Sequence, residues 1–245
     1  DQQDLESWVG IMPRYGKVEE MRWFKGRNGV SAFHLVNAYE EDGFVHLDLC
    51  LSDTNAFGFM REAGGIQRDQ RDIQGGLTRW TFDLSKEGDM FEERLVGPPG
   101  DMPRLRDADQ GRPYRAAWYL SMNPQGGPPL PGGPVGVAFN ALLRIEPGKG
   151  RIDMMGLEPG MAISEPVHVP STQDEHEGWL LMVVDRQAGE ADFKSELWVV
   201  EAGAIAAGPI ARVPMPMPMR AQVHGAWVSA RQLANARQNV DSEAA

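Results

Sequence analysis

Apolar and polar residues alternate along most of this chain with a period of two, which is the spacing of side chains on one face of a β-strand. The clearest case is Leu-Thr-Arg-Trp-Thr-Phe-Asp-Leu at residues 77–84, where single polar residues separate Trp80, Phe82 and Leu84. Similar runs predict strands at residues 21–24, 31–36, 44–50, 93–96, 114–122, 138–145, 151–157, 178–185, 196–201 and 209–213. Only residues 230–239 have a pattern that is typical of a helix.

Turn-forming residues separate these runs, and the chain contains 28 glycines and 18 prolines. Asn28-Gly29 is a hairpin-type turn, and Gly-Pro-Pro-Gly at residues 97–100 separates two later runs. The polar residues 37–43 are predicted to form a turn between two strands, and residues 53–75 either a short helix or an excursion over the surface. Many short strands predict an all-β sandwich, barrel or propeller, and without an exact sequence repeat these three stay open.

The length of 245 residues is sufficient for one large domain, and we predict a single domain over residues 1–245. The Gly- and Pro-rich residues 123–136 are expected to form a long surface loop, with a domain linker as the alternative. Within residues 213–219, three prolines alternate with three methionines. They are interpreted as an edge segment with its methionines in the core, or as a flexible apolar wall beside a ligand channel.

The net charge is −11, and no block of lysine or arginine stands out, so nucleic acid and anionic membranes are not expected as partners. Cys50 is the single cysteine, which excludes an internal disulfide and favours a reducing compartment. The longest apolar run, at residues 179–184, is shorter than the ~20 residues that a membrane span needs. With no signal-like leader at its start, the chain is expected to be cytoplasmic.

Five histidines are present, and imidazole is the commonest metal ligand in proteins. His34 and His224 each follow an apolar strand-like run and precede small or polar residues, so each is either a metal ligand or a structural histidine. They are 224 − 34 = 190 residues apart, too far for a local metal motif. His176 lies in a charged turn, and His46 in a strand. No catalytic Ser-His-Asp order, phosphate-binding loop or cysteine-rich metal motif appears, so a nucleotide enzyme is not expected.

Several short segments, in order along residues 11–228, resemble motifs of the carotenoid cleavage oxygenase family. They are Met-Pro-Arg at 12–14, Arg-Trp-Phe at 22–24, Phe-His-Leu-Val-Asn-Ala-Tyr-Glu at 33–40, Gly-Asp-Met-Pro-Arg at 100–104, Ser-Glu-Pro-Val-His-Val at 164–169 and Val-His-Gly-Ala-Trp at 223–227. The first two segments look closest to the bacterial lignostilbene dioxygenase branch of that family, which cleaves stilbenes.

The resemblance implies a seven-bladed β-propeller with a non-haem Fe(II) on its axis, held by four histidines. His34 then corresponds to the third ligand and His224 to the fourth. Glu165, and Asp101 where the family usually has Glu, correspond to carboxylates that hydrogen-bond the ligand histidines. The implied activity is cleavage of a conjugated carbon–carbon double bond of a stilbene-type phenylpropanoid by O₂, giving two aldehydes. Without the resemblance, Asp101 would be interpreted as a turn residue and Glu165 as a surface strand residue.

The resemblance covers only the C-terminal half of the family pattern, and the family's first two iron ligands belong to its N-terminal half. His46, His168 and His176 do not match those ligand motifs. We therefore expect an N-terminal half of the same enzyme, on another polypeptide, to supply two further histidines. Unpaired strand edges of a half propeller would also favour association into an oligomer.

Other functions stay open on the sequence alone. A related dioxygenase would cleave apocarotenoids instead of stilbenes. A non-catalytic propeller fragment acting as an interaction module would need neither iron nor His34. A propeller hydrolase with Ca²⁺ or Zn²⁺ bound by carboxylates has no motif to support it.

Overall fold

The computed structural model describes residues 4–53, 74–123, 125–127, 139–172, 177–187, 193–217, 219 and 223–243. Fifteen strands and one α-helix lie within these residues, so the fold is all-β, with a helix added near the C-terminus.

The first part of the chain forms a two-stranded ribbon and a four-stranded antiparallel sheet. The ribbon pairs β1 (Trp8–Ile11) with β2 (Arg22–Lys25). The first sheet is a meander of β3 (Ser31–Glu41), β4 (Phe44–Ser52), β5 (Gly75–Asp83) and β6 (Glu92–Gly97). Adjacent strands in sequence are adjacent in the sheet, so β3 and β6 are its two edges.

Two further antiparallel sheets follow in sequence order. The second sheet is a meander of β7 (Gly100–Arg104), β8 (Ala117–Ser121), β9 (Ala141–Glu146) and β10 (Arg151–Gly156). The third sheet contains β11 (Met161–Ile163), β12 (Val167–Val169), β13 (Trp179–Gln187), β14 (Phe193–Glu201) and β15 (Pro209–Pro214). Both β11 and β12 pair with β13, and together they occupy the edge that β7 occupies in the second sheet.

The helix α1 spans Ala230–Glu243. A capping box fixes its start, because the Ser229 hydroxyl accepts the backbone N–H of Gln232, while the Gln232 side chain accepts the backbone N–H of Ser229. No helix in the described part of the chain is both long and apolar enough to cross a membrane.

The sheets stack face to face, and β8 shows why its sequence is apolar on both faces. Trp118 and Leu120 pack with Leu180 and Met182 of the third sheet. Tyr119, on the opposite face, packs against residues of the first sheet such as Leu77 and Cys50. The ribbon covers the far face of the first sheet, where Phe24 of β2 packs in one cluster with Trp80 and Phe82 of β5. A strand buried on both faces reads as a continuous apolar run, as residues 116–120 do.

One buried ionic cluster ties the first sheet to the segment that leads into β8. Arg79 donates two hydrogen bonds of 2.7 Å to the carboxylate of Asp48, which is fully buried. The Tyr114 hydroxyl donates to the same carboxylate at 2.6 Å. Burial of Tyr114, together with the charge of Asp48, raises the pKa of this phenol. The phenol therefore stays protonated and acts as a donor to the carboxylate.

A second buried cluster joins the second and third sheets. Arg144, which is 2% exposed, donates to Glu146 at 2.7 Å and to Glu177, just before β13, at 2.9 Å through Nε. Burial alone would raise the pKa of Glu146, yet Arg144 and Lys149 together lower it to about 2. Glu146 is therefore ionised throughout the neutral pH range.

The strand pattern predicted from sequence is confirmed at each predicted position, and the helix extends beyond residue 239 to Glu243. Four strands were missed: β1, β7, β11 and β12. The predicted turn at residues 37–43 is wrong over most of its length. β3 continues through Glu41 and only Asp42 and Gly43 turn, because Asn37 to Glu41 pair with Phe44 to Asp48 of β4.

Two segments with predicted loops or surface excursions lie largely outside the described residues. They are most of the predicted loop at 123–136 and nearly all of residues 53–75. In the proline–methionine run, Pro214 ends the edge strand β15, but Met217 is 64% exposed. The interpretation that these methionines all pack into the core is therefore wrong for Met217.

Candidate functional site

His34 lies on β3, the edge strand of the first sheet, at a break in the strand pairing. Ala32 pairs with Leu51 and Leu35 with Leu49, so the intervening Phe33 and His34 leave the regular register. Such bulges re-aim side chains at the edges of sheets. The ring of Phe33 packs edge-on against that of His34, with 4.5 Å between centroids. The imidazole of His34 is thus half-buried and turned toward the neighbouring sheet.

Asp101 lies on β7, the corresponding edge strand of the second sheet. Its Oδ1 is 2.6 Å from Nδ1 of His34 and also accepts the backbone N–H of Met102 at 2.6 Å. Met102 has a φ of 55°, an uncommon value for a residue other than glycine. Gly100 lies so close to β8 that an added Cβ would be 2.2 Å from the carbonyl oxygen of Leu120. The backbone on both sides of Asp101 is therefore irregular and closely packed where its carboxylate meets the imidazole.

His224 lies in the extended segment after β15, and its partner comes from the third sheet. Nδ1 of His224 is 3.1 Å from Oε2 of Glu165, which lies in the link between β11 and β12. The same oxygen accepts the backbone N–H of Gly225 at 3.2 Å. Glu165 is 9% exposed, whereas 56% of the His224 side chain is accessible. An added Cβ on Gly225 would be 2.6 Å from Val167, which explains the glycine after His224.

The two histidines meet although 190 residues separate them. Their ring centroids are 5.3 Å apart and the rings are nearly perpendicular, at 85°. Each Nδ1 faces a carboxylate oxygen, which favours the neutral tautomer protonated at Nδ1, and in that tautomer Nε2 carries the free lone pair. A zinc–nitrogen bond is about 2.0–2.1 Å, so rings at this separation are close enough to share one transition-metal ion.

The donor set therefore fits a transition metal in type and in arrangement. A carboxylate on the far nitrogen is the usual way in which proteins fix a metal-binding imidazole. Among the described residues, no group of three or more His, Cys, Asp or Glu side chains forms a metal cage, and the site brings together two imidazoles from that part of the chain.

Arg104 connects the parts of the site, and the sequence analysis assigned it no role. It lies at the end of β7, and its Nη2 is 3.2 Å from Oε1 of Glu165. Nη2 also donates to the carbonyl of Gly225 at 3.0 Å, and Nε donates to the carbonyl of Pro166 at 3.1 Å. Its place in the Gly-Asp-Met-Pro-Arg segment was visible in the sequence, but its partners lie 61 and more positions away.

A hollow of about 200 Å³ opens beside His224 and Glu165. Its wall is mostly apolar and comes from β13, β14 and the segment after β15, through Leu181, Val183, Leu197 and Trp227. Small-molecule sites commonly combine such an apolar wall with a few polar groups. The candidate metal centre thus adjoins a surface suited to an apolar ligand.

The other histidines lie elsewhere. His46 on β4 is half-buried and bonds the hydroxyl of Thr81 at 3.0 Å. His168 on β12 is 7% exposed, donates through Nε2 to the carbonyl of Glu177 at 2.7 Å and stacks on Trp118. His176 lies outside the described residues. The residues predicted for the site, His34, His224, Asp101 and Glu165, lie together. Asp101 is part of β7 and not of the alternative turn, and Glu165 is buried and not the alternative surface residue.

Comparison with known proteins defines the class. The family model described as "Retinal pigment epithelial membrane protein" (RPE65) matches residues 2–229. The chain therefore belongs to the RPE65/carotenoid cleavage oxygenase family.

Individual relatives are oxygenases by name. The lignostilbene-alpha,beta-dioxygenase isozyme III of Sphingomonas paucimobilis is 31% identical over 236 residues, which cover 94% of this chain and 48% of that protein. The isoeugenol monooxygenase of Pseudomonas putida is 29% identical over 226 residues, covering 91% and 46%. The crystal structure of Pseudomonas brassicacearum lignostilbene dioxygenase superposes with a TM-score of 0.81 at 32% identity, covering 93% and 48%. The chain thus spans about half the length of the relatives that it matches.

Proposed function

We propose that this chain carries half of the metal centre of a non-haem Fe(II) dioxygenase that cleaves a conjugated carbon–carbon double bond. The observation that supports this function is the pair of histidines, each bonded through Nδ1 to a carboxylate, with ring centroids 5.3 Å apart. Two imidazoles prepared in this way suit iron with an open position for a second reactant.

In this proposal, His34 and His224 hold the metal through Nε2, and Asp101 and Glu165 keep the proton on Nδ1. When bound, Fe(II) supplies the redox chemistry by which O₂ and one C=C bond become two aldehyde C=O bonds, with both oxygen atoms retained in the products. The half-buried His34 is fixed by its bulge, and the more exposed His224 borders the hollow.

We further propose that a polypeptide equivalent to the other half of the relatives supplies two more histidine ligands. Three successive antiparallel sheets each place the strand or strands that come first in sequence beside the site. Such a repeated sheet is the unit expected of a propeller. A seven-bladed closure with that second half would also cover the edges that are open here. We also propose, from the sequence alone, that the protein associates with further copies and has a cytoplasmic location.

For the substrate, we propose a stilbene-type phenylpropanoid. The apolar wall beside His224 suits an aromatic alkene, and two relatives, at 31% and 29% identity, are named for lignostilbene and isoeugenol. Cleavage of an apocarotenoid instead would identify the alternative dioxygenase.

The first test is intact-mass spectrometry of the native protein, followed by metal analysis and assays with a stilbene and an apocarotenoid. We expect a companion chain of similar size, bound iron and two aldehyde products from the stilbene. Unchanged behaviour after iron is removed would instead favour a non-catalytic interaction module.

The matched variants are His34→Ala, His224→Ala and, as a control, His46→Ala. The first two are expected to lose iron and cleavage together, because each removes a ligand, whereas His46→Ala keeps both. Equal iron content in all three proteins would refute the assignment of His34 and His224.

A further inference from the structure

We propose that Arg104 is the residue that positions His224 for metal binding, acting through Glu165. β7 thereby prepares both imidazoles, His34 directly through Asp101 and His224 indirectly through Arg104. This inference deepens the proposed function and rests on it for the identity of the metal, but not for the hydrogen-bond geometry.

The contacts of Arg104 join three segments that are distant in sequence. Its guanidinium touches the carboxylate of Glu165, the carbonyl of Pro166 and the carbonyl of Gly225, at 3.2, 3.1 and 3.0 Å. Gly225 is consequently held at both ends, since its N–H bonds Glu165 and its C=O accepts from Arg104. The residue next to His224 therefore has a fixed backbone position.

The stability of ionised Glu165 depends on the charge of Arg104 more strongly than that of a surface carboxylate would. Only 8% of its side chain is accessible, and a buried carboxylate is costly unless it is paired and hydrogen-bonded. One oxygen, Oε1, faces Arg104, which leaves Oε2 for Nδ1 of His224 and the N–H of Gly225. Without Arg104, Glu165 is expected to turn toward water and release His224.

The planar fork of arginine is required, because one side chain donates in several fixed directions. Lysine carries the same charge as a point and lacks that fork geometry. Arg104→Lys is therefore expected to keep part of the pairing with Glu165, while losing the simultaneous hydrogen bonds to Pro166 and Gly225.

His34 provides an internal reference, because its partner does not depend on Arg104. Asp101 is fixed by the N–H of Met102 and accepts from His34 at the opposite end of β7. Loss of Arg104 should affect His224 alone, and loss of Asp101 should affect His34 alone.

The test uses the native protein, companion chain included, stripped of metal and labelled with ¹⁵N-histidine, with ring-nitrogen NMR recorded while the imidazoles are neutral. In the wild type, we expect both His34 and His224 as the single tautomer protonated at Nδ1. In Arg104→Met, His224 becomes a mixture of tautomers and His34 is unchanged. Arg104→Lys gives a smaller change at His224, and Asp101→Ala gives the reverse pattern.

The inference is overturned if His224 keeps its single tautomer in Arg104→Met. It is also overturned if both histidines change together with a fall in thermal stability, which would indicate a general structural role. Should Arg104→Met fail to fold, Arg104→Lys decides, and an unaltered His224 tautomer there contradicts the need for the fork. Absence of iron or of alkene cleavage in the wild type would refute the proposed function and leave this tautomer result standing.

A second readout is Co²⁺ affinity, measured by absorption titration of the protein with its companion chain. Removing an outer partner of a metal ligand typically costs about 10–100-fold in affinity. We expect a loss in this range for Arg104→Met and a smaller one for Arg104→Lys, and equal affinity in all three proteins contradicts the inference.

Discussion

At the scale of single residues, the site depends on where each imidazole proton lies. Asp101 reaches His34 with a side chain one methylene shorter than glutamate, from a backbone segment in which Met102 has a positive φ and Gly100 lies close against β8. Glu165 reaches His224 with the longer side chain, and Arg104 balances its charge. The two carboxylates thus do the same work by different local means.

His168 gives a pH-dependent prediction at the same scale. Burial lowers its pKa below the usual 6.5, and the nearby Arg106 adds to this, while the hydrogen bond to Glu177 and the charges of Asp107 and Asp109 oppose it. Below pH 6.5 the unfolded chain binds a proton that the folded protein resists, so stability falls as the pH falls.

His168→Phe should remove this pH dependence while keeping an aromatic ring against Trp118. The lost hydrogen bond to Glu177 costs about 1 kcal/mol at neutral pH. Urea unfolding from neutral pH down to about pH 5 measures both effects, with the pH range set by the usual histidine pKa. An equal slope of stability against pH in both proteins would contradict the assignment.

At the scale of elements, the site is carried by the irregular parts of otherwise regular sheets. The bulge in β3 positions His34, and β7 loses its register between Asp101 and Arg104. The sequence predicted β3 from its alternation, yet it did not predict β7, because Gly-Asp-Met-Pro-Arg has neither alternation nor β-branched residues. Its strand pairing comes from β8 alongside it.

The hydrogen bond from Tyr114 to Asp48 links the segment before β8 to β4 of the first sheet, and its contribution to stability can be measured. Tyr114→Phe removes a hydrogen bond to the buried, ionised Asp48 and should cost about 1.5–3 kcal/mol of unfolding free energy. Tyr119→Phe is a matched control, because it removes a bond of 3.1 Å to the uncharged carbonyl of Pro98 and should cost about 0.5–1.5 kcal/mol. Urea unfolding at neutral pH gives both values, and an equal or smaller cost for Tyr114→Phe would show that the charge of Asp48 adds nothing.

At the scale of the whole molecule, the stacking of sheets holds the histidines together. Each interface between sheets has an apolar core, and the interface between the second and third sheets also contains the Arg144 cluster. Anything that separates these sheets would move Glu165 and Arg104 apart, since they belong to different sheets.

Glu146 gives the prediction at this scale. Its pKa falls from 4.5 to about 2 on folding, so its contribution is present above pH 4.5 and is lost as the pH falls toward 2. The shift corresponds to about 3 kcal/mol. We expect Glu146→Gln to be less stable than the wild type by this order at neutral pH, and the difference to shrink in acid.

The control is Glu158→Gln, which alters an exposed pair with Arg186 at 3.5 Å. Such surface pairs contribute about 0–1 kcal/mol. Urea unfolding across the acid range compares the three proteins, and a difference for Glu146→Gln that does not vary with pH would contradict the lowered pKa.

The sequence by itself determined eleven of the fifteen described strands, through their apolar patterns, and the candidate residues His34, His224, Asp101 and Glu165, through their resemblance to family motifs. Only the tertiary structure decided how they pair: His34 with Asp101 across 67 positions and His224 with Glu165 across 59. It also decided that Arg104 lies between them. Alternation records which face of a strand is buried, a local property. The meeting of edge strands from separate sheets depends on bulges and on how the sheets stack, and no local pattern encodes these contacts.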